Sequence, residues 1–376
     1  MRAAVVILNW NTREYLRAFL PALIKSLGKD DALYVADSAS TDGSLEMLAA
    51  EFPSVKTIPL DKNYGFTGGY NRALKDLEAE YFVLINSDVL VDEGWLEPLV
   101  AWMEGHPDCA ICGPKLHGLM ADPDSPSAEQ SHGRGSASGE SGIRYRKTDR
   151  FEYAGAAGGW LDAWGFPFCR GRVLNRVCED RGQYDSPADV LWCTGACLMI
   201  RSRLWFTFGG FDGRFFAHME EIDLCWRVQL SGFKVTVVPQ SLVWHLGGGT
   251  LEPKSPWKLE LNYRNSLLML ENNLTATYQA RGLSVEKAVR KAYRRIAMRM
   301  CIDNLTRLIY SCTGRKEYAE VVKKAHAAYG MLRYEAAPGV GHVAVPRGLA
   351  RICIIPQGLI RKDRVFRYLD KKIFKI

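Results

Sequence analysis

Asp88 is the first residue whose type and place suggest chemistry. It closes Asn86-Ser87-Asp88, directly after the apolar run 81–85, YFVLI, which is short enough to be one buried strand. A strand ending in an amide and a carboxylate carries that carboxylate to the edge of its sheet where open α/β sheets bind ligands. There Asp88 can serve as an oxygen ligand for a hard divalent cation that also holds a phosphate, or can simply begin a turn, a common task for Asp. A second acidic group, Glu220, Glu221 and Asp223, opens residues 215–230, which read as a helix. The helix dipole favours acids in a first turn, but three within four residues among apolar neighbours exceed that need. Glu220, Asp223 and Arg227 share one face, and Glu221 points elsewhere. These carboxylates are the candidate catalytic groups.

The elements that must position them begin at the N-terminus. Residues 3–8, 32–36 and 55–60 are strand-like, and each is followed by a polar cluster and a helical stretch. Thr12 is placed to cap the first helix. The β-α-β-α-β-α-β rhythm predicts a mostly parallel sheet with helices on its faces. Asn9, Asp37, the loop from Asn63 to Asn71, and the Asn86–Asp88 group then all reach one crevice. Asp37 can accept a hydrogen bond from a base N–H or a ribose hydroxyl. Gly65, Gly68 and Gly69 let backbone approach a ligand, and the helix start beyond them offers N–H groups to an anion. No G-x-G-x-x-G follows the first strand, so a mononucleotide diphosphate is expected rather than a dinucleotide.

Six motifs, NWN, DSASTDGS, NYGFTGGYN, LINSDV, FFAHMEEIDLCWR and WHLGGGT, resemble in content and order those of family 2 glycosyltransferases. The likeness covers about Ala3 to Thr250 and is nearest to the bacterial rhamnosyl- and galactofuranosyltransferase branch. It implies a GT-A fold, an NDP-sugar donor (dTDP-rhamnose or a UDP-sugar), a divalent cation (Mg2+ or Mn2+), and inversion at the anomeric carbon. By position it implies nucleotide contacts for Asp37, a ribose or metal-water contact for Asn86, and metal ligation by Asp88 and His245. It places the general base at Glu221, with Glu220 as the substitute. Asp223 is expected to orient the helix or the acceptor with Arg227. An inverting transfer needs one such carboxylate, not the pair of a hydrolase.

The chain has 376 residues, 47% of them hydrophobic, enough for more than one domain. The expected division is residues 1–250 as the catalytic part, with a mobile loop at about 118–147, and 251–376 as a helical extension. The net charge is +7, but from Arg281 onward 22 Lys and Arg face 7 Asp and Glu, so the remainder is acidic. The basic end, with Leu359, Val365, Phe366, Leu369 and Phe374 among its charges, suits an anionic membrane surface or a homodimer contact. It has too few stacking aromatics and no reader motif for nucleic acid. Cys109 and Cys112, three apart in a strand, are expected to face opposite sides as structural thiols, in a reducing compartment. No window of about 18 apolar residues is present, and the first strand is too short for a signal peptide. A cytoplasmic enzyme, associated with the inner membrane face through a glycan or lipid-linked glycan acceptor, is the resulting expectation. A non-catalytic nucleotide-sugar or glycan binder is the alternative, though it has no use for a base. A nucleotidyltransferase would need a basic glycine-rich loop after the first strand, which is missing.

Overall fold

The computed structural model describes residues 1–122, 144–247, 255–333, 341 and 343–375. The first half alternates as expected: β1 (Ala3–Asn9), α1 (Arg13–Ser26), β2 (Asp31–Asp37), α2 (Ser44–Glu51), β3 (Lys56–Pro59), α3 (Gly65–Ala73) and β4 (Tyr81–Ile85). The β4, β1, β2 and β3 strands are parallel neighbours, with Ile7 opposite Ile85 and Asn9 opposite Asp37. Their residues alternate between two cores. Val6, Ala36 and Leu84 pack on one face of the sheet, and Val5, Val35 and Val83 on the other. Strand side chains alternate by two, so a sheet covered on both faces is apolar at every position.

The sheet then becomes mixed. The next elements are β5 (Val89–Val91), α4 (Glu97–Gly105), β6 (Cys109–Ala121) and β7 (Tyr145–Phe151). A small four-stranded sheet follows, from β8 (Gly159–Leu161), β9 (Pro167–Cys169), β10 (Arg172–Val173) and β11 (Arg176–Val177). The main sheet resumes with β12 (Ala188–Asp189) and β13 (Cys197–Arg201), then α5 (Ser202–Thr207), α6 (Glu220–Leu230) and β14 (Lys234–His245). Strand β13 lies antiparallel between β4 and β6, and β14 runs parallel to β6. This is a GT-A architecture, a mostly parallel sheet flanked by helices and followed by α7 (Pro256–Ala280), α8 (Val285–Cys312), α9 (Lys316–Leu332), α10 (Ile354–Arg361) and α11 (Arg364–Leu369).

Three local expectations are corrected. Strands β6 and β7 pair as a hairpin that takes up both ends of the stretch read as a mobile loop, and residues 123–143 lie outside the described residues. Cys109 and Cys112 face the same core while Ala110 and Ile111 face the other. A bulge between the Cys109–Lys234 and Ile111–Val235 pairs resets the alternation. Among the described residues no group of three or more His, Cys, Asp or Glu is arranged to hold a metal. Finally, the basic end does not offer all its apolar side chains outward. Val365 and Leu369 are fully buried with Phe168, Val173 and Ile354, and Phe374 packs on Trp160 and Tyr184.

No described helix is long and apolar enough to cross a membrane. The end segment is also stitched back by backbone: Leu161 N–H donates to Gly348 O and Ala350 N–H to Leu161 O. Tyr184 Oη donates to Asp370 Oδ1 at 2.7 Å. Ending the chain at Cys353 therefore removes Val365 and Leu369 from the core and uncovers Phe168 and Val173. With about 1.5–3 kcal/mol per buried apolar side chain, the shortened chain is expected to unfold at a clearly lower temperature by calorimetry. An unchanged midpoint would show that the segment is dispensable.

Candidate active site

Strand β5 is three residues long, yet it fixes the first functional pair. It runs antiparallel to the end of β14 with His245 opposite Val89, and Leu246 N–H donates to Asp88 O at 3.1 Å. The register brings His245 Nε2 to 3.1 Å from Asp88 Oδ1, with both side chains buried. On its other side His245 Nδ1 lies 3.4 Å from Glu152 Oε1. Burial opposes a charged imidazole, but the Asp88 and Glu152 carboxylates raise the His245 pKa well above its ordinary value. Gly247, at φ +69°, leaves room for Glu152, since a Cβ there would stand 3.1 Å from Glu152 Oε1. Residues 248–250 of the WHLGGGT motif lie outside the described residues.

The donor set fits a divalent cation shared with a diphosphate. Mg2+-type ions in phosphate sites take one or two protein ligands and leave the remaining positions to phosphate and water. Asp88 Oδ1 and His245 Nε2 are two adjacent donors, and Glu152 stands where an outer carboxylate fixes the imidazole tautomer. Lys258, in the first turn of α7, is half-buried. Burial lowers its pKa, and the charges of Glu152 and Asp88 act against that shift. Sequence reading missed Glu152 and Lys258. The lone acid in the aromatic and glycine-rich stretch FEYAGAAGGW was the available signal for Glu152.

The second functional group rides on α6. Three non-glycine residues before it, Phe216, His218 and Met219, have φ of +64°, +71° and +74°. Such left-handed backbone persists only where the surroundings hold it. Here α7 does so. The buried Asn265 Nδ2 donates to Phe215 O, Ala217 O and His218 O at 2.9, 2.7 and 2.8 Å. Arg264 donates to Phe215 O at 2.7 Å. From the other side, Thr67 N–H donates to Phe216 O at 3.1 Å, and Gly65 sits so close to Phe216 that a Cβ would meet its ring at 2.6 Å.

The held turn delivers Glu220 to a buried position and Glu221 to a half-buried one. Each has an Oε2 that is buried with no hydrogen-bond partner among the described residues. Burial, with the Glu221 charge next to it, pushes the Glu220 pKa well above the carboxylate range. Burial raises Glu221 to about 7, against backbone N–H donors at the helix start that lower it. His218 is neutral, its pKa lowered to about 4 by burial and by Lys258. Beneath Glu221 lies Gly195, where a Cβ would touch Phe66 at 3.4 Å and Glu221 Cβ at 3.8 Å. The adjoining Ala196 O accepts from Asn86 N–H at 2.9 Å. One short loop thus connects the surroundings of Glu221 to the end of β4 that carries Asp88.

Asp223 is corrected from the catalytic set. It is 0% exposed, and its Oδ1 accepts from Asn272 and Asn273 at 2.9 and 2.8 Å. Its Oδ2 accepts from Arg227 Nε at 2.8 Å, and Arg227 in turn donates to Phe208 O and Gly210 O. Asp223 orients α6 and has no free face for a substrate.

Several nucleotide-site expectations also change. Asp37 and Asn9 are fully buried, with Asn9 Nδ2 donating to Asp37 Oδ2 at 2.7 Å and Ser40 N–H to Asp37 Oδ1 at 2.9 Å. In this conformation Asp37 shapes the loop around Ser40 and presents no exposed carboxylate to a base. The Thr12 hydroxyl bridges Asn9 Oδ1 and Ser87 Oγ and does not cap α1. This network ties the ends of β2, β1 and β4 together. Gly65 and Gly68 lie inside α3, where Gly65 N–H is bound by Asn63 Oδ1, so its N–H is not open to an anion. Asn71 clamps the backbone of Phe211 at both N–H and O. Asn86 keeps a half-exposed side chain at the crevice.

Fold and site together define a glycosyltransferase that uses a nucleotide-sugar donor. Residues 4–166 match the model of glycosyl transferase family 2, and the relatives below include rhamnosyltransferases. It is 26% identical over 255 residues to the N-acetylglucosaminyl-diphospho-decaprenol L-rhamnosyltransferase of Mycobacterium tuberculosis, across 64% of this chain and 75% of that protein. It is 38% identical over 66 residues to Rhamnosyltransferase WbbL of Escherichia coli, across 18% of this chain and 25% of that protein. Among solved structures, GalNAc-T7 with UDP, GalNAc and Mn2+ shares the fold at a TM-score of 0.50 and 16% identity. That likeness covers 65% of this chain and 43% of that one.

Two outcomes follow for turnover. A Glu221 raised to about 7 is protonated, and unable to take a proton, below that pH. The pH–rate profile of kcat/KM is therefore expected to rise through about 7; a limb in the ordinary carboxylate range would remove Glu221 from the role. Asn265→Ala takes the side-chain donor from Ala217 O and His218 O, leaves Phe215 O to Arg264, and frees the turn that aims Glu221. It is expected to lower kcat by about 100-fold with donor affinity, measured by calorimetry, near that of the parent.

Proposed function

We propose that this protein transfers a hexosyl or deoxyhexosyl group from an NDP-sugar to a hydroxyl of a glycan or lipid-linked glycan, with inversion. The observation that carries the reading is a half-buried carboxylate with one buried, unpartnered oxygen and its pKa raised to about 7, Glu221, a short loop away from the Asp88–His245 pair. The M. tuberculosis relative is named as a rhamnosyltransferase for a diphospho-decaprenol substrate. That favours dTDP-rhamnose, or a UDP-sugar, as donor and a lipid-linked glycan as acceptor. Residues 1–250 would be the catalytic part, and 251–376 a helical extension whose α7 braces it.

In the proposed reaction Glu221 takes the proton of the acceptor hydroxyl. The acceptor oxygen forms its bond to the anomeric carbon from the face opposite the diphosphate. The bond from that carbon to the diphosphate oxygen breaks, and the electron pair leaves with the NDP. Asp88 and His245 would hold a divalent cation, which, when bound, neutralises charge on the leaving diphosphate. Lys258 adds a positive charge beside them, and Glu152 keeps the His245 ring oriented. Burial and the neighbouring Glu221 charge push the Glu220 carboxyl well above the usual carboxylate range, which favours its uncharged form beside the base. A pure binding module gains nothing from a carboxylate held at this pKa.

Donor titration with and without Mn2+, followed by thermal unfolding, tests the assignment. Asp88→Ala is expected to abolish the Mn2+-dependent stabilisation by the donor. Glu221→Gln is expected to keep donor binding and to lose turnover by at least about 1,000-fold, with free NDP and no pyrophosphate released by the parent. Near-normal turnover in Glu221→Gln would move the base to Glu220.

A further inference from the structure

A cavity of about 270 Å³ lies between α7, α8 and the segments around Leu161 and Leu349. Its floor is apolar, from Leu161, Trp226, Leu270 and Leu349, and three guanidinium groups, Arg281, Arg295 and Arg351, border it. None of the three has a hydrogen-bonded or ion-paired partner among the described residues. A fourth cation, Lys291, stands 4.7 Å from the ring of Tyr278, another wall residue. Asp162 is the carboxylate in the wall, and it is committed elsewhere. Its Oδ1 accepts from Trp164 and Phe166 N–H at 2.7 and 2.9 Å, and its Oδ2 from Ile354 N–H at 2.8 Å.

Four like charges gathered over a low-dielectric floor repel one another until an anion enters. Guanidinium forks match phosphate oxygens two at a time, which a lone carboxylate committed to backbone does not contest. The volume suits one phosphate or diphosphate group with an apolar portion against the leucines. The place is distinct from the transfer site. None of Asp88, Glu152, Glu221, His245 or Lys258 lines the cavity; on α7 Lys258 and the wall residue Leu270 are 12 residues apart, about 18 Å at 1.5 Å per residue, while on α6 the wall residue Trp226 lies five residues beyond Glu221. Beyond the cavity, the outward face of α8 presents Lys287, Arg290, Lys291 and Arg294. Arg290 is paired there with the exposed Glu286 at 2.6 Å, and from Lys287 to Cys312 the described residues of the helix include no further exposed acid.

We propose that this cavity is a second anion site that binds a phosphate-bearing ligand, carried either on a lipid headgroup or on a soluble phosphate ester. It is independent of sugar transfer. Two arms test it with the full chain. One titrates inorganic diphosphate by calorimetry into Asp88→Ala, where cation-dependent diphosphate binding at the transfer site is removed. The other measures co-sedimentation with phosphatidylglycerol vesicles against phosphatidylcholine vesicles. Binding in either arm, weakened at least about tenfold by Arg281→Glu with Arg295→Glu and, more mildly, by Arg351→Gln, is the expected result. Diphosphate binding alone assigns a soluble ligand, and vesicle binding that diphosphate does not displace assigns a lipid. Unfolding midpoints within the parent's range show that these variants fold. Absence of binding in both arms, or binding that the arginine variants leave unchanged, overturns the proposal.

Discussion

The pairing of three-residue β5 with the last turnless stretch of β14 is the constraint on which the site depends. Asp88 and His245 are 157 positions apart, and nothing local holds either at the other's side. Strand register does it, because Val89 faces His245 across the ladder. A slip of one residue would turn His245 to the opposite face of the sheet. The register is fixed in turn by Val89, Val91 and Val243, which bury their side chains in the same core. Apolar packing of ordinary kind thus sets a polar distance.

A different physics holds the other half. The turn before α6 is unfavourable on its own, with three side-chain-bearing residues in left-handed backbone. It is held by amide donors from α7, and the same helix supplies Asn272 and Asn273 to Asp223. Asn265 donates to the turn without adding charge beside Glu220 and Glu221, and the Arg264 guanidinium adds a further donor at Phe215 O. The C-terminal extension is therefore part of the catalytic apparatus in a mechanical sense, though it carries none of the expected reacting groups.

The parallel half of the fold was legible because each strand is a short, wholly apolar run followed by polar residues, and alternation plus double-sided burial demands that pattern. The convergence of Asp88 with His245 was legible only through the motif resemblance, since pairing across so many residues leaves no local trace. The pairing of Asp223 with Arg227 was legible from their spacing, whereas its occupation by Asn272 and Asn273 from another helix, which takes it out of the catalytic group, was not. The same holds for Asn71 and Asp37, whose partners Phe211 and Asn9 cannot be inferred from spacing. The two cysteines of β6 misled for a local reason: a bulge is created by the neighbouring strand, and the strand that contains them gives no sign of it. The family-model match ends at residue 166, so Glu220 and Glu221 rest on the resemblance of the FFAHMEEIDLCWR motif and on the geometry around them.

Gly195 has a further consequence. Its backbone is not in a conformation reserved for glycine, and a methyl there would meet Phe66 and Glu221 at ordinary contact distances. The fold therefore tolerates alanine at this place, while the floor under the base would rise by the width of a methyl. A methyl at Gly195 would thus narrow the space around Glu221 while leaving the scaffold undisturbed.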